Sequence, residues 1–138
     1  VQYATSVNIK APLDRVWAVL TDVTKWPQWT ESVTSVEHTG DLRLGSEVTL
    51  KQPRLARAIW RVTELDPGRS FVWVSKSPGV TTTAGHYLTP QGDGTVDVRF
   101  TITQSGPLAP LIALFARNLT RRYVDMEAYG LKRRCETS

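Results

Sequence analysis

The 138-residue sequence contains one cysteine, two histidines and one methionine. Cys135 has no partner for an internal disulfide, and with His38 and His86 it gives no metal-ligand spacing. No metal is therefore expected, no cofactor is implied, and a reducing cytoplasm is the expected compartment. No apolar run approaches the ~18 residues of a membrane-spanning helix. The opening VQYATSVNIK lacks a basic start followed by an apolar run, so no secretory signal is expected, and the missing Met suggests a trimmed start. Repeats, low-complexity tracts and linker-like shifts in composition are also missing, which points to one domain spanning 1–138. The net charge of +4 is mild. Its densest cluster, Arg117, Arg121, Arg122, Lys132, Arg133 and Arg134, fits a solvated helix face, and a nucleic-acid partner is not expected. No Ser/His/Asp or Cys/His set can be assembled, and GDG at 92–94 reads as a hairpin turn, not a phosphate loop.

What is present is patterning. Residues 2–10 alternate as a half-buried strand. Pro12 suits the first turn of a helix, and Leu13, Val16, Trp17 and Leu20 follow helical spacing, so a short amphipathic helix is expected over 12–21. Residues 22–30, which include KWPQW, predict a loop with at most one further helical turn, because Pro27 biases Trp26 away from the α region. Six further strands are expected at 32–39, 46–52, 57–66, 70–77, 79–89 and 94–104. Their turn-rich separators favour an antiparallel meander. Residues 107–134 read as one long helix, with Pro107 and Pro110 near its start and Gly130 near its end.

Register can be proposed from the turns. A turn at Pro78-Gly79 sets Trp73 opposite Ala84 and Phe71 opposite His86. Pairing Leu88 with Val96, Glu64 with Phe71, Val62 with Trp73, and Leu50 with Trp60 extends the same logic. One face then carries Val36, Val48, Leu50, Gln52, Trp60, Val62, Phe71, Trp73, Ala84, His86, Leu88, Val98, Phe100 and Ile102. Helical spacing places Leu108, Leu111, Ile112, Phe115, Leu119, Tyr123, Met126 and Tyr129 on a covering stripe, with Arg122 inside it. A twisted sheet wraps around such a helix, and the small or polar positions Gln52, Ser75, Thr82, Ala84 and His86 would leave room between the two.

The order of strand, short helix pair, six-stranded meander and long helix resembles the helix-grip fold of the START-like (SRPBCC) superfamily. The resemblance is carried by VNIKAPLDRVWAVLTDVTKWPQW, LRLGSEVTL, WRVTELDPGRSFVWVS, GHYLTPQGDGTVDVRFTI and the final helix. It is greatest to the polyketide cyclase/dehydrase and lipid-transport branch. The fold class it implies is α+β, a seven-stranded antiparallel sheet wrapped around a long C-terminal helix. It also implies a deep apolar cavity for a lipid-like or aromatic small molecule. Cyclases, hydrolytic enzymes, lipid carriers, ubiquinone-binding proteins and co-chaperones share the pattern, so fold does not choose among them.

His86 is the candidate for acid–base chemistry, being the one histidine expected on the inner face. A core histidine hydrogen-bonded to a neighbour is the alternative. Expected ligand contacts are Trp60, Phe71, Trp73, His86, Phe100, Phe115, Leu119, Arg122, Tyr123 and Met126. Arg122 would meet either a ligand oxygen or a protein acid such as Glu64. Trp26 and Trp29 are read as wedges seating their connection, with a possible part at the cavity mouth. The expected function is binding of a hydrophobic small molecule. A cyclase/dehydratase-like enzyme and a protein-interaction module of antitoxin or co-chaperone type are the alternatives, and oligomeric state is left open.

Overall fold

The computed structural model describes residues 2–137. Strand β1 (Gln2–Ile9) leads into helix α1 (Leu13–Thr21) and a 3₁₀ helix (Val23–Gln28). Strands β2 (Ser35–Glu37), β3 (Glu47–Lys51), β4 (Ala58–Asp66), β5 (Ser70–Ser77), β6 (Val80–Pro90) and β7 (Val96–Ser105) follow, then helix α2 (Ala109–Glu136). All seven strands form one open antiparallel sheet in the order β1-β7-β6-β5-β4-β3-β2. The fold class expected from the sequence is the one observed.

Within 22–30 the chain is more ordered than expected. The 3₁₀ helix covers six residues, about two turns, with Pro27 inside it. What holds it is burial of Val23 and Trp26 on one side, with Trp26 Nε1 donating to Leu20 O at 2.9 Å. That bond ties the segment back onto α1.

The β5–β6 register is as expected, with Trp73 opposite Ala84 and Phe71 opposite His86. Two other pairings move by one dipeptide. Leu88 pairs with Val98, not Val96, because the hairpin closes as Gln91 N donates to Thr95 O around Gly94 in the left-handed region. Val48 pairs with Trp60, and Leu50 with Ala58, because the β3–β4 connection turns tightly through Arg54 at φ 68°. A two-residue shift preserves faces, so the inner set survives. Between β4 and β5 a bulge after Val62 does change a face. Leu65, not Glu64, pairs with Phe71, and Glu64 is exposed.

The C-terminal half of α2 seats on the sheet and α1 through Val124, Ala128, Leu131 and Cys135, a 4-3-4 stripe. Gly130 lies directly against Trp29. Arg15 extends the junction, donating from Nε to Cys135 O at 2.8 Å and from Nη2 to Thr137 O at 2.9 Å.

This seating fixes how α2 is rotated, and the rotation corrects the predicted stripe. At 100° per residue, Phe115, Arg122 and Met126 lie on the far side of the helix from Val124. Phe115 is 80% exposed, Arg122 is exposed and Met126 is half-buried. Leu108, Leu111 and Tyr129 are also exposed. Apolar size alone picks out Phe115 and Met126, whereas the helix seats through Val124, Ala128, Leu131 and Cys135, with Gly130 against Trp29.

Candidate cavity between the sheet and the long helix

A cavity of about 510 Å³ lies between the sheet and α2. Its α2 wall is Ile112, Ala116, Leu119, Thr120, Tyr123, Val124 and Glu127. Its sheet wall includes Leu50, Gln52, Ala58, Trp60, Trp73, Ser75, Thr82, Ala84, His86 and Ile102. All five positions expected to leave room, Gln52, Ser75, Thr82, Ala84 and His86, border it. Exposed Leu55, Arg57, Ile59 and Lys76 border it toward solvent, whereas Trp26, Trp73 and His86 are almost wholly buried.

The buried end is aromatic. Trp73 stands 5.3 Å from Trp26, 5.7 Å from Trp60 and 5.7 Å from His86, measured between ring centroids. Trp26 and His86 are 5.9 Å apart, edge to face. These tilted arrangements suit the quadrupoles of the rings. Behind the panel, Phe71 stacks on His86 at 4.1 Å and Phe100 meets it edge-on at 5.5 Å.

Of the residues proposed from sequence, Trp60, Trp73, His86, Leu119 and Tyr123 border the cavity. Phe71 and Phe100 are fully buried and support His86 from behind, without lining the space themselves. Phe115, Arg122 and Met126 face away from it. Arg122 and Met126 border a separate groove with Trp29, Arg121 and Tyr129, and exposed Glu64 is not a buried acid for Arg122 to meet. Tyr123 is anchored, its hydroxyl donating to Pro53 O. That bond joins α2 to the β3–β4 connection at the cavity rim.

One residue lies deeper than expected and one was missed. Trp26 reaches the cavity from the 3₁₀ helix, further in than the mouth position expected of it. Glu127 is the more consequential. It continues the helical row Ile112, Ala116, Leu119, Tyr123, spaced four, three, four and four residues apart. Following Ala116 instead of Phe115 would have found it. Its Oε1 lies 3.5 Å from Ser32 Oγ, which is 2.7 Å from Thr30 Oγ1.

Burial acts on the two titratable groups in opposite directions. It pushes the Glu127 carboxyl up to about 8, with the Ser32 hydrogen bond pulling weakly the other way. It lowers His86 to about 4, opposed by the hydrogen bond to Phe71. His86 Nδ1 is 3.1 Å from Phe71 O. A carbonyl only accepts, so Nδ1 carries the proton and Nε2 keeps its lone pair. At pH 7 the cavity thus holds a protonated carboxylic acid and a neutral imidazole. Among the described residues, no group of three or more His, Cys, Asp or Glu is placed to hold a metal ion, and no helix is long and apolar enough to cross a membrane.

The family model "Polyketide cyclase / dehydrase and lipid transport" matches residues 1–136. The chain belongs to this family. No curated protein matches the sequence. Among solved structures, a START superfamily protein from Mycobacterium smegmatis superposes with a TM-score of 0.79 at 13% identity, covering 98% of this chain and 97% of that one. Truncated norcoclaurine synthase from Thalictrum flavum gives 0.78 at 12% identity, covering 100% and 94%. The di-domain ARO/CYC BexL from the BE-7585A biosynthetic pathway gives 0.72 at 18% identity, covering 96% of this chain and 45% of that one. At these identities the likeness establishes the helix-grip fold alone and leaves the chemistry to the site.

Proposed function

We propose that this protein binds a hydrophobic, ring-containing small molecule in the cavity between the sheet and α2. The observation that carries this reading is the aromatic inner end, Trp26, Trp60, Trp73 and His86, facing about 510 Å³ of space. That volume falls in the range of roughly 300–1,000 Å³ that takes drug-sized ligands. Flat aromatic walls favour planar rings over a flexible acyl chain, which would lose more rotational freedom on binding. Native mass spectrometry of the protein purified from its own host, followed by extraction, tests the reading. A bound hydrophobic compound of a few hundred daltons is expected. An empty spectrum, with no aromatic ligand raising the melting temperature, would overturn it.

The opposed ionisation of Glu127 and His86 favours a second reading, an acid–base enzyme of cyclase/dehydratase type. His86 Nε2 would take the proton α to a ligand carbonyl. Glu127 would give its proton to a β-hydroxyl, which leaves as water while the carbon–carbon double bond forms. Turnover of an aromatic β-hydroxy ketone, lost in His86→Phe with affinity retained, separates catalysis from simple binding.

A further inference from the structure

Two side chains that border the cavity, Trp60 and Glu127, carry polar groups whose partners within the protein are missing or poor. Trp60 is only 8% exposed, it borders the cavity, and its Nε1 is buried with no acceptor among the described residues. An indole N–H only donates, so nothing but an acceptor can satisfy it, and leaving it unmet costs stability. Among the described residues Glu127 has one hydrogen-bond partner, Ser32 Oγ, at the long limit of 3.5 Å. In the protonated state that burial imposes at neutral pH, its carboxyl also presents an O–H.

The cations are elsewhere. Arg57 and Lys76 border the cavity but are both exposed, and Arg57 Nη1 is engaged by Glu37 Oε1 at 3.0 Å. Arg122 is on the other side of α2. An anionic group at the buried end would therefore meet an acid with no positive partner, at a high desolvation cost. A hydrocarbon would leave both donors unmet. A carbonyl oxygen has two lone pairs and no charge.

We propose that Trp60 and Glu127 form a donor-bearing polar patch on the cavity wall, and that the cavity selects a neutral aromatic molecule by its carbonyl oxygen. This selectivity rests on the binding function proposed above. The ring would lie on the Trp26–Trp73 panel while the oxygen accepts from the two donors. Neither donor need transfer its proton, so the inference holds for a carrier and an enzyme alike.

The test uses three compounds of matched shape: 2-acetonaphthone, 2-isopropenylnaphthalene and 2-naphthoate. Each is titrated at pH 7 into the ¹⁵N-labelled protein and followed by proton–nitrogen correlation spectra. The Trp60 indole signal is identified by its loss in Trp60→Phe. The ketone is expected to bind at least about tenfold more tightly than the hydrocarbon, the increment of two neutral hydrogen bonds. It should move the Trp60 indole proton downfield, which the hydrocarbon should not. The carboxylate should bind most weakly. Trp60→Phe and Glu127→Leu should each reduce the ratio of ketone to hydrocarbon affinity, and Glu127→Gln, which keeps a donor, should retain most of it. Equal affinities for ketone and hydrocarbon, or an advantage that survives in both Trp60→Phe and Glu127→Leu, would overturn the selectivity while leaving cavity binding intact. Failure of all three compounds to bind would overturn both.

Discussion

His86 Nδ1 and Phe71 O meet at 3.1 Å across the β5–β6 pair, while the same two side chains stack at 4.1 Å. One neighbour thus fixes the tautomer of the imidazole and covers one of its faces. The ring is held neutral, with a pKa of about 4 against an ordinary 6.5. Between those two values the unfolded chain binds a proton that the native state refuses, so this contribution to stability is lost as pH falls through the window. His86→Phe keeps the ring and removes the titration. The variant should be less stable at neutral pH, because the Phe71 carbonyl loses its donor. The gap between wild type and variant should narrow as pH falls from 6.5 to 4, read as urea midpoints. A constant gap would contradict the assignment.

Glu127 has the opposite sign. Its carboxyl titrates near 8 in the folded state against 4.5 ordinarily. Across that interval the native state holds a proton the unfolded chain has released, so stability falls as pH rises. From 4.5 to 6.5 the His86 and Glu127 slopes oppose each other. From 6.5 to 8 only the Glu127 slope remains, and the wild type should weaken. Glu127→Gln should flatten the urea midpoint over that upper interval. An unchanged decline would place the titrating group elsewhere.

Gly130 and Trp29 set a steric prediction. A Cβ at position 130 would collide with the Trp29 backbone oxygen and come within 3.0 Å of Trp29 Cε3. Alanine would improve helix propensity by roughly 1 kcal/mol over glycine. Forcing a methyl group into a packed contact costs about 1–3 kcal/mol, and a backbone oxygen cannot swing aside as a side-chain tip can. The clash should win. Gly130→Ala is expected to lower stability in chemical denaturation, and a gain would show that the 29–30 segment yields easily.

The rotation of α2 can be read by paired substitutions. Phe115→Ser and Arg122→Ala sit on the side away from the cavity and should change affinity for an aromatic ligand by less than about twofold, with stability within roughly 0.5 kcal/mol. Ala116→Trp, on the cavity wall, should sharply reduce affinity. The reverse pattern would mean that the helix presents the large residues inward after all.

The sheet was legible because alternation and turns constrain it twice over. Even where a hairpin register slipped by two residues, as at Leu88 and Val48, the inner face held its membership. The Glu64 bulge escaped notice because one extra residue leaves no compositional trace. The helix was legible as an element but not in rotation. Apolar size pointed toward Phe115 and Met126, whereas closeness of approach, set by Ala128 and Gly130, decided the outcome. That error hid Glu127. The two tryptophans of KWPQW were recognisable as buried wedges, but Trp26 reaching the cavity depends on the 3₁₀ helix beneath it.

The proposed ligand site is the space between the sheet and α2. Ala84→Phe tests it most directly, since Ala84 borders the cavity opposite Trp73 and a larger side chain there would fill it. Calorimetric titration of a neutral naphthyl ketone into wild type and variant, with both melting temperatures measured, gives the answer. A folded variant of equal or higher melting temperature that no longer binds the ketone is expected. A folded Ala84→Phe protein that binds it as tightly as wild type would contradict it.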